Sequence, residues 1–482
     1  MPDLGFLKDS CHSPDAPAVF DGNDGEWVTR GQLAARVTAF AGRLQFPRKA
    51  LGFVFPFNDI EGLIAYLASI QAGHAVAMLN PELDPVLSSR LISLFLPDFI
   101  VAPRSHPPAP PEGGYHEAES PHGGQLLLRS DVPNRHAIHG DLSLLISTSG
   151  STGSPKLVRL SWRNLESNAR QIIDALRHTE RDRTMVTAPI FNGYGQSVVH
   201  TMLLAGGSFA LTQARMVSRE FWDTARESEC NVIGGTPFFY QTLDRLDLDS
   251  LNVPLLKKFV QTGGRLAGHL VRKFHTTLQQ RGGELHVMYG QAEATARISG
   301  LPPEWLPEEC GSVGFALPGG RMWVEDEGRE CALGEEGEFI YQGPNVMMGY
   351  ARGPEDLGKG DELGGRIATG DLGYRDARGL FYITGRKSRF VKLYGWRVSL
   401  DEVEEMLSPA ATVAAISERD HLVIYAERPD ANLRAAVDRL ADRLNLHRTG
   451  FEIREIDAIP RLANGKVDYR RLTQAVLTAA AR

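Results

Sequence analysis

The sequence predicts an α/β fold with a β-rich region and a compact α+β tail. Three observations carry this. Between residues 27 and 101, and again between 141 and about 291, short apolar runs alternate with helix-length periodic stretches, the pattern of βαβ units around a parallel sheet. Residues 312–384 change to short strand-like pieces separated by glycine-rich turns. Beyond Gly385 the charge density rises over about one hundred residues, a suitable size for a small separate unit.

In the first α/β run, Leu33, Val37 and Leu44 suit one helix face, and Leu51–Phe57 is a short apolar strand. Residues 60–71 form a second helix and 75–79 a second strand, broken at Gly73. Residues 103–124, rich in Pro, Gly and His, read as a surface loop or linker. In the second run, Leu142–Ser147 is strand-like. Leu165, Ile172, Ile173 and Leu176 mark an amphipathic helix, and strands recur at 185–188, 232–234 and 259–262.

Composition narrows the function classes. The chain has 482 residues, 52 basic against 59 acidic, for a net charge of −7, so it presents no platform for nucleic acid. Its 42% hydrophobic and 23% charged residues are those of a folded globular protein. Four well-separated cysteines with no CxxC pair argue against a disulfide framework or zinc module and fit a reducing cytoplasm. The N-terminus lacks an apolar signal core, and the weakly charged stretch 62–79 is interrupted by Gln71, Gly73 and His74, so no membrane span is expected.

The densest chemical feature is Ser147-Thr148-Ser149-Gly150-Ser151-Thr152-Gly153-Ser154-Pro155-Lys156, following the strand Leu142–Ile146. Two glycines allow a tight turn that aims N–H groups at an anion; the hydroxyls add donors and Lys156 a mobile positive charge, as a polyphosphate requires. The spacing of Gly150, Gly153 and Lys156 is not that of a Walker A loop.

This loop resembles the phosphate loop of the ATP-dependent adenylate-forming (AMP-binding) superfamily: acyl-CoA synthetases, adenylation domains of peptide synthetases and luciferases. Further segments in the same order are similar to that family's motifs: Tyr289-Gly-Gln-Ala-Glu293, Thr369-Gly-Asp371, the stretch 385–397 and Asn464-Gly-Lys466. The resemblance covers nearly the whole chain. It implies a large N-terminal domain (1–386), a hinge at 387–388 and a small mobile C-terminal domain (389–482). It also implies two half-reactions, in which a carboxylic acid and ATP form an acyl-adenylate and a thiol then takes the acyl group.

The resemblance implies the following roles. Thr148, Ser149, Gly150, Ser151, Thr152, Gly153 and Lys156 hold phosphates. Gly263, Gly264 and Arg265 approach the adenine edge, Tyr289 stacks on the adenine, and Gly290 belongs to the same nucleotide-binding segment. Glu293 holds Mg²⁺, suited to a hard cation that takes few protein ligands. Asp371 accepts from the ribose diol, as an acceptor-only carboxylate can, and Arg386 adds a ribose or phosphate contact; as isolated residues these two would pair with each other, but in this motif context the nucleotide contacts are expected instead. Lys466 is the catalytic lysine that bridges the attacking carboxylate and the α-phosphate.

Lys392 and Gly395 line the tunnel for the thiol of CoA or a carrier-protein phosphopantetheine, and Ser388 occupies the usual Asp or Lys hinge place. Any carrier arm, acyl or peptidyl, comes from another protein. Asn192, Tyr194, Gly195, Gly234 and Thr236 shape the acid pocket. Asn192 stands where amino-acid activators carry aspartate, and a neutral amide gives an ammonium no counter-charge, so an aryl or alkyl acid without an α-amino group is expected.

The sharpest departure is Ala292, where the family carries a threonine whose hydroxyl contacts the α-phosphate. Thr295 is the nearby hydroxyl that would compensate in part. This departure keeps open a nucleotide-binding protein with weakened chemistry, and transfer of the acyl group to an amine is the second enzymatic alternative.

Overall fold

The structure is a computed structural model. It describes residues 12–108, 110, 114–120, 124–130, 136–147, 156–246, 248, 250–387, 389–393, 396–418, 421–443, 446–462, 465–469 and 471–473, and the side chains of 390 and 392–397 are not among what it describes. Two large mixed sheets and a five-stranded antiparallel sheet make up the body before residue 387. A two-stranded and a three-stranded sheet follow it.

The nine-stranded sheet runs Phe315–Ala316, Ser299–Leu301, Glu284–Tyr289, Lys258–Gln261, Val232–Gly235, Arg183–Met185, Ser208–Leu211, Pro17–Asp21, Glu26–Thr29. Its six central strands are parallel, and antiparallel strands close both edges. In the eight-stranded sheet, Phe99–Ala102, Leu51–Val54, Ala75–Met78 and Leu142–Ser147 are parallel and the flanking strands antiparallel. The expected parallel sheet is thus correct only for the centres.

Helices Arg30–Ala41, Ile60–Gln71, Trp162–Leu176 and Gly193–Ala205 contribute side chains to one core shared with strands of both large sheets. Ile60–Gln71 shows why the sequence folds this way. Asp59 caps it by accepting from the Gly62 N–H at 2.8 Å. Its residues from Leu63 to Ile70 are all buried, the signature of a helix covered on every side.

Two sequence readings need correction. The run 103–124 is not wholly loop: Tyr115–Ala118 pairs antiparallel with Gln125–Arg129 at the sheet edge. Within 312–384 most strands form the five-stranded sheet, but Phe315–Ala316 and Gly349–Ala351 leave it to edge the two large sheets.

After residue 387 come the hairpin Phe390–Leu393/Trp396–Ser399, helices Leu400–Leu407 and Ala431–Arg443, and the sheet Val413–Glu418, His421–Ala426, Phe451–Glu455. These build their own core around Leu407, Leu422, Ile424 and Leu433. Side-chain contacts change allegiance at this point. Lys387 pairs with Glu338 at 3.0 Å, whereas Arg389 pairs with Glu404 at 2.8 Å and lies over the Tyr469 ring. Ser388 lies outside the described residues. Among the described residues no helix is long and apolar enough to cross a membrane, and Cys230, Cys310 and Cys331 are free thiols.

Candidate active site

The site begins at the C-terminal end of the strand Glu284–Tyr289, where α/β sheets place ligands. The chain turns at Gly290, where a Cβ would run into the Ala296 carbonyl, so a side chain there is excluded by backbone. A single 3-10 turn, Ala292–Ala294, follows and carries Glu293. Thr295 and Ala296 then take positive φ, 56° and 104°, and Ile298 N–H returns to the Tyr289 carbonyl at 2.8 Å.

Tyr289 is buried, its ring edge-on to Phe339 at 6.4 Å, and its hydroxyl donates to Asp371 at 2.5 Å. Burial first, then the Asp371 charge, pushes its phenol far above the ordinary range. Arg386 donates to the other Asp371 oxygen through Nε at 2.7 Å. The two are Cα partners in the antiparallel pair Arg366–Arg375/Phe381–Arg386. The ion pair that the motif context argued against is nevertheless present, and the neighbouring carboxylate raises the guanidinium pKa. An ionised carboxylate has about four acceptor positions, so this pairing leaves capacity for a diol.

Lys466 reaches the same place from the other end of the chain. Arg461 and Val467 bridge, and Leu462 N–H donates to the Lys466 carbonyl at 2.8 Å, which makes a tight hairpin. Gly465 supplies the left-handed φ of 80° that the turn needs. The hairpin rests on helix Pro237–Arg245: Gly465 packs on Phe238 and the Arg461 guanidinium lies 5.3 Å from that ring. Lys466 keeps solvent access, yet protein encloses it on most sides. That burial, then Arg386, lowers the affinity of its ammonium for the proton, while Asp371 and Glu293 oppose the shift. Residues as far apart in sequence as Glu293 and Lys466 thus share one electrostatic neighbourhood.

Glu293 accepts from the Tyr350 hydroxyl at 2.9 Å, and Lys156 stands over the Tyr350 ring at 3.4 Å. Tyr350 was not foreseen; it sits on a three-residue strand with no motif to announce it. Thr148, Ser149, Gly150, Ser151, Thr152 and Gly153 lie outside the described residues, as does Gly395, and the side chain of Lys392 is likewise not described. Thr295 does not face this site as a free hydroxyl: it is buried and donates to the Asn345 carbonyl at 2.5 Å, so the expected compensation for Ala292 is not available from it.

Gly263 and Gly264 follow the strand Lys258–Gln261 and border Thr236 and Pro237. Arg265 bonds instead across to Glu405 of the C-terminal region at 2.6 Å. Thr236 starts helix Pro237–Arg245, and Asn192 starts helix Gly193–Ala205 without capping it through its side chain. Gly195 packs on the Pro189 carbonyl. Tyr194 and Gly234 line a small concave space of about 30 Å³ with Ile172, Val232 and Arg297. A Cβ on Gly234 would lie 2.5 Å from the Tyr194 hydroxyl.

A family model described as "AMP-binding enzyme" matches residues 7–351. The 2-succinylbenzoate–CoA ligase of Bacillus velezensis is 25% identical over 460 residues, covering 92% of this chain and 91% of that protein. The D-alanine–D-alanyl carrier protein ligase of Streptococcus pyogenes is 26% identical over 490 residues, 94% of each. Among solved structures, ATP-bound MatB from Rhodopseudomonas palustris superposes with a TM-score of 0.80 at 23% identity, covering 98% of both chains, which establishes the fold. The chain belongs to the AMP-binding enzyme family and is an AMP-forming acid–thiol ligase.

Proposed function

We propose that this protein activates a carboxylic acid lacking an α-amino group and delivers it to the thiol of CoA or of a carrier-protein phosphopantetheine. The observation that carries the reading is that Lys466 lies within electrostatic reach of Arg386, Asp371 and Glu293, with Arg386 paired to Asp371 at 2.7 Å. In the first half-reaction a carboxylate oxygen attacks the α-phosphorus of ATP, the bond to the bridging oxygen breaks and pyrophosphate leaves. Lys466 offsets the negative charge that gathers between acid and α-phosphate. Asp371 receives the ribose hydroxyls and Arg386 holds it in place. In the second half-reaction a thiol sulfur attacks the acyl carbon, AMP departs and the thiol proton passes to solvent. The family resemblance assigns the path of that thiol to Lys392 and Gly395; the Lys392 side chain and Gly395 lie outside what the structure describes.

Among the described residues no group of three His, Cys, Asp or Glu is arranged to hold a metal. Mg²⁺ nevertheless fits, because it is usually held by one or two carboxylates with phosphates and water. Glu293 supplies a hard carboxylate beside Lys156 and Lys466. When bound, the ion would neutralise phosphate charge.

The acid class rests on two neighbours. Asn192 offers a neutral amide, and the buried cation Arg297 lines the pocket and repels an ammonium. The relatives differ on this point, since one takes its name from D-alanine and another from 2-succinylbenzoate. Mass analysis of products from an acid panel with ATP and either CoA, a phosphopantetheinylated carrier or an amine tests the proposal. Thioester with an acid lacking an α-amino group is expected, and exclusive amide formation would overturn it.

Ala292 places no hydroxyl at the start of the turn that carries Glu293. Ala292→Thr is expected to raise acid-dependent pyrophosphate exchange by about tenfold, as one added donor to developing charge can. An unchanged rate shows that the departure has no catalytic meaning.

A further inference from the structure

Arg297 is only 4% exposed. Its position is held by its own backbone: the Asn168 and Asn345 amides both donate to its carbonyl at 2.9 Å. Its side chain has little to hold. Nη1 donates to the Ala296 carbonyl at a long 3.3 Å, Nε has no partner among the described residues, and no carboxylate there pairs with the guanidinium. It lies 4.7 Å from the centre of the Tyr194 ring. Burial draws its pKa down to about 10, which leaves it charged at neutral pH. A buried cation without a counter-charge is costly, and structural arginines are ordinarily satisfied. Arg159 of this same chain, equally buried, also has an Nε without a partner among the described residues, but it donates to three backbone carbonyls and to the carboxylate of Glu362.

Arg297 is among the residues lining the concave space beside Tyr194 and Gly234. The remaining lining is mostly aliphatic, with Ile172, Leu176, Met202 and Val260 among it. One further polar atom there, the buried Thr201 hydroxyl, also has no partner among the described residues. An apolar chamber with a cation and a donor at its wall is complementary to a ligand with an apolar middle and an anionic end.

We infer that Arg297 receives a second carboxylate on the acid, so that the substrate is a dicarboxylic acid with one carboxylate activated and the other bound by Arg297. This rests on the acid-ligase reading above. The guanidinium supplies planar paired donors and Thr201 a third, while the aliphatic wall covers the carbon chain between the two ends. A monocarboxylic acid of equal length leaves the cation buried and unanswered.

The test compares matched mono- and dicarboxylic acids of equal length in ATP–pyrophosphate exchange, with wild type, Arg297→Met and Arg297→Lys, fold being checked by thermal melting. Wild type is expected to prefer the diacid by at least about a hundredfold in kcat/KM, since a site built around a polar group strongly rejects an analogue lacking it. Arg297→Met is expected to lose most of that preference while keeping the KM for ATP, and Arg297→Lys to retain part of it. The wild-type comparison needs no variant, so misfolding of a substituted chain leaves the test intact. Equal use of both acids by wild type, or an equal fall on both in Arg297→Met, overturns the inference and leaves the ligase reading standing. Exchange with no acid at all from folded, ATP-binding protein overturns both.

Discussion

Lys466→Ala is expected to lower acid-dependent ATP–pyrophosphate exchange by about two to three orders of magnitude, the usual loss when one preorganised charge or donor is removed from a developing oxyanion. The hairpin that carries Lys466 is held by backbone bonds at Leu462, Gly465 and Asp468, so alanine removes the ammonium without dismantling its support. The variant should melt with the wild type and still convert a preformed acyl-adenylate and thiol to thioester. Exchange within a few-fold of wild type would contradict the role. The same residue sets a pH dependence. Enclosure by protein and the adjacent Arg386 lower its pKa below the ordinary lysine value of 10.5. The working form is the cation, so activity is lost as pH rises, and the alkaline limb of kcat should fall below that value and disappear in Lys466→Ala.

Asp371→Asn is the second large effect. The carboxylate is buried, and its two oxygens accept from Tyr289 and Arg386 at 2.5 and 2.7 Å. An amide keeps one acceptor and turns a donor toward either the tyrosine hydroxyl or the guanidinium. Hydrogen bonds to charged groups contribute about 1.5–3 kcal/mol each. A fall of about 10- to 100-fold in kcat/KM for ATP is therefore expected, carried mainly by KM, with the KM for the acid little changed. An unchanged KM for ATP would remove Asp371 from nucleotide binding.

What the sequence disclosed and what it concealed follow from the range of the interactions. Helix Ile60–Gln71 was legible to its last residue because an apolar run of helix length, broken at Gly73, is a local signal. The antiparallel sheet edges were not, because strands of two to four residues such as Phe315–Ala316 and Tyr115–Ala118 are too short to show alternation. The residue types at 371, 386 and 466 could be picked out by resemblance, but not that Lys466 and Asp371 come within electrostatic reach, which depends on a hairpin docking on Phe238. Arg297 went unremarked altogether. The available signal was a lone arginine between Ala294 and Ile298, both of which prove fully buried; a charge in such a run asks for a partner. Its lack of one among the described residues emerges only from the packing.

The central claim is that this site joins an acid to AMP. Acid-dependent exchange of labelled pyrophosphate into ATP measures that step directly. The account predicts exchange that requires an acid, requires Mg²⁺ and disappears in Lys466→Ala. Folded protein that binds ATP yet exchanges no pyrophosphate with any member of a broad mono- and dicarboxylic acid panel would contradict it.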